Sequence, residues 1–225
     1  KLKNAQLTLK KGEILGIVGL VGSGRTETVR AIFGADKVKE KKIRLQGEEI
    51  EIVSPRNAID QGIAMVPEDR KVQGLLMRFS VERNISLARL ASLVSFGFIR
   101  ENEEKQMGVR QIESLDIRTP SPKTKIQSLS GGNQQKAILG RWLELKPRIL
   151  ILDEPTKGID VGAKYEIYLI MKKIVEDGGS IILISSELPE VLNMSNRVIT
   201  ISDGEITGEF DPVQSSPDEI MEKAL

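Results

Sequence analysis

Four short apolar runs punctuate the chain, at 14–19, 63–67, 148–153 and 180–185, and each reads as a buried β-strand. Apolar residues at three- and four-residue spacing predict helices over roughly 24–34, 132–146 and 161–177, the first and last after strand runs and the middle one after Ser130-Gly131-Gly132. This alternation predicts an α/β fold built on a mostly parallel sheet. Near the end, the run Arg197 to Ile206 reads as an antiparallel hairpin with Asp203-Gly204 at its turn. Ser216-Pro217-Asp218-Glu219 then supplies an N-cap, a first-turn proline and a capping-box glutamate for a last short helix. Between about 72 and 128 the pattern changes: 81–87 and 101–117 read as helices with little strand signal between them, and Thr119-Pro120-Ser121-Pro122 leads back out.

Three segments carry chemistry. The first strand runs into Gly19-Leu20-Val21-Gly22-Ser23-Gly24-Arg25-Thr26, a P-loop with one letter changed. Such a loop needs glycines so that backbone can wrap phosphates, a lysine for the terminal ones and a hydroxyl for Mg²⁺. Arg25 stands in the lysine's place, and its wide planar fork is no substitute for a compact ammonium in a cradle shaped for a point donor. Ser130-Gly131-Gly132 opens a helix, where free N–H groups and a positive dipole end face an anion. The strand Ile149–Leu152 ends in Asp153-Glu154, two carboxylates placed to handle a cation and a water.

Composition narrows the classes. The 225 residues are 40% hydrophobic and 29% charged, with no apolar run of bilayer-spanning length. A formal charge of +1 gives no electrostatic reason to expect nucleic acid. Cysteine and histidine are absent, which excludes disulfides, thiol chemistry and the commonest general base.

Together, in this order and spacing, the three segments resemble the P-loop, signature and Walker B strand of ATP-binding-cassette ATPases. The specific marks Gly22-Ser23-Gly24-Arg25-Thr26-Glu27, Val66-Pro67-Glu68-Asp69-Arg70-Lys71, Ser130-Gly131-Gly132-Asn133-Gln134-Gln135-Lys136 and Ser185-Ser186-Glu187-Leu188-Pro189-Glu190 resemble the second cassette of bacterial double-cassette sugar importers of the ribose, galactose, xylose and arabinose type. Nucleoside and autoinducer importers share that architecture. The resemblance implies one nucleotide-binding domain over 1–225: a RecA-like core from 1–71 and 129–225, a helical subdomain over 72–128 and a small antiparallel β element. It implies ATP and Mg²⁺ as ligands. Implied partners are a first cassette on the same polypeptide, membrane permeases and, indirectly, a sugar-binding protein, at the cytoplasmic face of the inner membrane.

Residue by residue, the resemblance gives Gly19, Gly22, Ser23, Gly24, Arg25, Thr26 and Glu27 to the phosphates. Ser130, Gly131, Gly132 and Gln134 fall to the signature, and Asp160 to the D-loop Thr156-Lys157-Gly158-Ile159-Asp160 between cassettes. Thr26 and Asp153 would hold the metal and Glu154 the water. Glu68 takes the usual Q-loop glutamine's place and Ser186 that of the switch histidine, with a shorter side chain that carries no charge. With Arg25, these departures imply nucleotide binding with slow hydrolysis. Asp153 and Glu154 also read as a turn cap and Asp160 as an N-cap; Lys136 and Arg141 read as a solvated helix face, and Phe96-Gly97-Phe98 as local packing. No aromatic residue precedes Gly19 to stack on adenine, and the chain reads as a fragment lacking the first cassette, a linker and an opening strand. A regulatory module that hydrolyses nothing is the alternative from another class. A soluble cassette of DNA repair or translation is disfavoured for want of coiled-coil heptads or a basic stripe.

Overall fold

The computed structural model describes residues 2, 3 and 5–225. In chain order the elements begin with β1 (Ile14–Val18), α1 (Arg25–Phe33), β2 (Ile43–Leu45), β3 (Glu48–Ile50), α2 (Pro55–Asp60) and β4 (Ile63–Val66). There follow α3 (Val81–Ser86), α4 (Leu90–Leu93), β5 (Val94–Ser95), β6 (Phe98–Ile99), α5 (Glu101–Ser114) and α6 (Gly131–Leu143). The last are β7 (Ile149–Asp153), α7 (Val161–Glu176), β8 (Ser180–Ile184), α8 (Leu188–Met194), β9 (Arg197–Ser202), β10 (Glu205–Phe210) and α9 (Pro217–Ala224). The chain forms two compact units. One takes the described residues up to Met65 with Arg148–Glu154 and Ile174–Leu225; the other takes Val66–Pro147 and Pro155–Lys173.

The first unit is built on a six-stranded sheet in the order β10-β9-β1-β8-β7-β4. β1 pairs parallel with β8 on one side and β9 on the other, and β7 pairs parallel with β8. Every residue of β1 and β8 is buried, as expected of strands covered on both faces. β10 pairs antiparallel with β9 and alternates exposed with half-buried residues, the pattern of an edge strand. Gly16 marks where α8 lies on β1: a Cβ there would come within 2.3 Å of Val191 Cγ1 and 2.4 Å of Ser195 Oγ. The capping box at Ser216 and Glu219 forms, and α9 buries Ile220 and Ala224 against Val18, Val191 and Val198. A bidentate pair, Arg30 Nε and Nη2 to the two Asp36 oxygens at 2.8 Å each, ties down the end of α1. That hydrogen bonding holds the Asp36 carboxyl below the usual carboxylate range.

In the second unit, α3 packs against α5 and α6. Gly108 permits the approach, since a Cβ there would lie 2.6 Å from Glu82 Cβ. The reading of Lys136 and Arg141 as a solvated face is corrected here: they are 2% and 7% exposed. Eight successive residues of α6, Gln134 to Arg141, are buried, so this stretch has no wet side. Lys136 Nζ donates to Asp116 O and pairs with Glu166, both at 2.7 Å. Arg141 donates to Asn84 O (2.7 Å), Asn84 Oδ1 (3.1 Å) and Gly74 O (2.5 Å). Desolvation pushes Arg141 down to about 10, which leaves it charged at neutral pH. Phe96-Gly97-Phe98 is corrected as well. Phe96-Gly97 is the two-residue turn between β5 and β6 and Phe98 opens β6; Phe96 is 100% and Phe98 80% exposed, so neither packs locally.

Candidate functional site

In the first unit the P-loop leaves β1 and enters α1. Gly22 and Gly24 have φ of +85° and +106°, values open to glycine and strained for other residues. Gly19 is fixed by crowding instead: a Cβ would meet Ile201 O at 2.3 Å and Ser23 Oγ at 2.4 Å. Ser23 N donates to Leu20 O at 3.0 Å, closing the turn. The far side of the loop is fastened from the β9–β10 turn, whose Gly204 N donates to Ser23 O at 2.8 Å. Gly24 caps α1 without a side-chain bond, which leaves the first-turn N–H groups for an anion, and half-buried Glu27 sits in that turn. Ser23 Oγ is buried with no hydrogen-bond partner among the described residues. A phosphate oxygen would satisfy it.

Beside the loop, β7 delivers two carboxylates. Asp153 is fully buried and its Oδ1 accepts from Thr26 Oγ1 at 3.3 Å. Glu154 follows with φ +51°, a left-handed conformation uncommon for a non-glycine residue and found at functional sites. Its carboxylate is held at both oxygens: Ser186 Oγ donates to Oε2 at 3.1 Å and Arg25 Nη2 lies 3.9 Å from Oε1. Arg25 Nη1 donates to Ser185 O at 3.1 Å, so the guanidinium in the P-loop lysine's place is engaged by the strand ends of β7 and β8. The structure thus brings Arg25, Thr26, Asp153, Glu154 and Ser186 together. Thr26 and Asp153 suit Mg²⁺, a hard cation that takes one or two protein oxygens and completes its shell with phosphate and water. No group of three or more acidic side chains that would cage a metal unaided occurs among the described residues.

Glu68 and the signature belong to the second unit. Ser130 caps α6, its Oγ accepting from Asn133 N at 3.5 Å and Asn133 Nδ2 at 2.9 Å. Gly132 is required by packing, because a Cβ would come within 2.4 Å of Ala163 Cβ at the start of α7. Gln134 is buried and gives its amide to Ile126 O and Leu129 O, at 3.3 and 3.0 Å. Asp160 caps α7, accepting from Ala163 N at 3.0 Å. Glu68 pairs with Lys157 Nζ at 2.7 Å. Sequence reasoning passed over Arg70, whose Nη1 and Nη2 donate to Lys157 O (2.7 Å) and Gly158 O (3.3 Å). Its only signal was its place in the run Glu68-Asp69-Arg70-Lys71.

Comparison with known proteins fits this layout. The chain is 48% identical over 91% of its length to the ribose import ATP-binding protein RbsA of Geobacillus kaustophilus, covering 41% of that relative. It is 47% identical over 98% of its length to the xylose import ATP-binding protein XylG of Thermoanaerobacter pseudethanolicus, covering 44%. The chain therefore spans less than half the length of these relatives. Among solved structures it superposes on an ATP-binding cassette in a dimeric post-hydrolysis state with ADP and Pi, at a TM-score of 0.77 and 23% identity, covering 94% of this chain and 90% of that one. A nucleotide-free cassette from an ABC transporter gives 0.81 at 21%, covering 100% and 92%. The same cassette fold is present in all three. The ABC transporter family profile matches residues 2–157, a span that takes in the P-loop, the Ser-Gly-Gly helix start and both carboxylates of β7, and the chain belongs to that family.

Proposed function

We propose that this chain is an energy-coupling cassette of a bacterial sugar importer, binding Mg-ATP at its own P-loop and offering Ser130-Gly131-Gly132 to the nucleotide of a partner cassette. The partner is a first cassette on the same polypeptide, and the pair acts on membrane permeases fed by a sugar-binding protein at the cytoplasmic face of the inner membrane. The names of the relatives support ribose, xylose or a similar sugar as the cargo. No helix among the described residues is long and apolar enough to cross a membrane, which agrees with a permease built from other chains.

The observation that carries the reading is the cluster at the mouth of the P-loop. There the loop's free N–H groups and Ser23 Oγ would take phosphate oxygens, and Thr26 and Asp153 would hold Mg²⁺. The ion, when bound, supplies charge neutralisation to the terminal phosphates. Glu154 orients the attacking water and accepts its proton at the carboxylate, whose two oxygens Ser186 and Arg25 fix in place. Arg25 is engaged by Ser185 O and Glu154, and so gives less to the phosphates than a P-loop lysine would. Binding therefore persists while turnover is slow, well under about 1 s⁻¹.

Two variants test the division of roles. Glu154→Gln should leave nucleotide affinity within about two-fold and remove whatever hydrolysis the site supports. Asp153→Asn should instead weaken binding in the presence of Mg²⁺ and leave Mg²⁺-free binding unchanged. Calorimetry with and without Mg²⁺, alongside steady-state phosphate release, reads both. Equal affinity losses in the two variants would contradict the assignment.

A further inference from the structure

We infer that Arg70 is a positioning residue that fastens the loop Thr156–Asp160 to the segment leaving β4, and so sets that loop and the signature helix start at Gly131 together. Its guanidinium bridges two successive carbonyls, Nη1 to Lys157 O at 2.7 Å and Nη2 to Gly158 O at 3.3 Å. Two residues earlier in the same segment, Glu68 takes the Lys157 ammonium at 2.7 Å. One segment thus holds Lys157 by both its backbone and its side chain. The segment is itself braced: Asp69 Oδ1 accepts from Lys71 N and Val72 N, at 2.9 and 3.0 Å, capping the single π-helical turn Arg70–Gly74.

The signature enters through the space at Gly131. A Cβ there would lie 2.8 Å from Arg70 Nη2 and 3.3 Å from Gly158 O, so a side chain at 131 requires the guanidinium to shift from its place against the loop. A fork is needed because the two carbonyls belong to adjacent residues and each takes one N–H; an ammonium on a flexible stem is a point donor. Gly158 has φ +66°, and its peptide is held in this orientation by the Arg70 bond. The inference rests on the proposed ATPase reading only for its consequence in turnover.

The test measures hydrogen exchange at the amides of Lys157–Ile159 in the wild-type chain, Arg70→Gln and Arg70→Lys, with ATPase in the assembled full-length protein. Arg70→Gln should speed exchange in that loop by about 10-fold or more and leave β1 and β8 unchanged. Arg70→Lys should recover little of the protection. In turnover, both variants should lower kcat by about 10-fold with KM for ATP within about two-fold. If Arg70→Gln fails to fold, Gly131→Ala displaces the same guanidinium and should open the same loop. In the Gly131→Ala background, Arg70→Gln should add little further exchange. Loop exchange within two-fold of wild type in Arg70→Gln, full protection in Arg70→Lys, or additive effects of the pair would overturn the assignment. Faster loop exchange in a protein whose wild type hydrolyses no ATP would uphold the clamp and count against the ATPase reading alone.

Discussion

In the assembled transporter, Gly131→Asp is expected to abolish substrate-stimulated ATP hydrolysis, a loss of about 100-fold or more, whereas Arg25→Ala leaves a substantial fraction. On the function proposed above, a head-to-tail pair would place each nucleotide between one cassette's P-loop and the other's signature. The altered P-loop of this chain would then serve one site, and its Ser130-Gly131-Gly132 the other. An aspartate at 131 would do two kinds of harm: on the proposed reading it would bring a negative charge to a helix start that receives an anion, and its Cβ would crowd Arg70 Nη2, which donates to Gly158 O. Arg25, by contrast, is already directed at Ser185 O and Glu154. Phosphate release from folded, assembled protein decides the matter. Equal damage from the two substitutions would mean that both sites turn over.

The largest effect on stability is expected from Arg141→Met, about 3 kcal/mol, from buried neutral acceptors that lose a donor, measured by denaturant unfolding. The substitution keeps much of the side-chain volume in the second unit and removes a charge that is 7% exposed. It leaves Gly74 O without its Arg141 donor, and Asn84 O and Oδ1 without two of theirs. Asn84, itself fully buried, still receives Leu76 N at Oδ1 and gives its amide to Leu76 O and Ser80 O, so the network is weakened and not emptied. Lys136→Met should cost less. Its partner Glu166 is one-third exposed and keeps Arg118 at 3.2 Å. A loss below about 1 kcal/mol for Arg141→Met would show that the cost of desolvating the charge cancels what its hydrogen bonds return.

Much of this was legible in the sequence because the core strands announce themselves: β1, β4, β7 and β8 are unbroken apolar runs, and Asp203-Gly204 is a strong hairpin turn. Other elements are too short or too polar to show a period. β2 and β3 have three residues each and carry Arg44, Glu48 and Glu49; α2 has six, although Ser54-Pro55 is a legible helix start. The failures at Lys136 and Arg141 have a different cause. A charge on a helix suggests a wet face, but the groups that satisfy these two are carbonyls and a carboxylate 20 to 67 positions away, and no local pattern reveals them. Phe96 and Phe98 failed in the opposite sense, since aromatic residues in and beside the turn of so short a hairpin are left exposed. At the site, residue identities were readable and orientations were not: that Arg25 turns to Ser185 O depends on the end of β8, far along the chain.

The bond from Gly204 N to Ser23 O has a consequence for biosynthesis. The group that fastens the far side of the P-loop is made roughly 180 residues after the loop itself, about 10–40 s of translation at about 5–20 residues per second. Until the β9–β10 turn has left the ribosome and paired, Ser23 O has no such donor, and a Cβ-free surface at Gly24 faces solvent where Gly204 Cα belongs. If the proposed nucleotide site is the right one, ATP should favour the fold only once that hairpin has paired, since a ligand stabilises only the state that binds it.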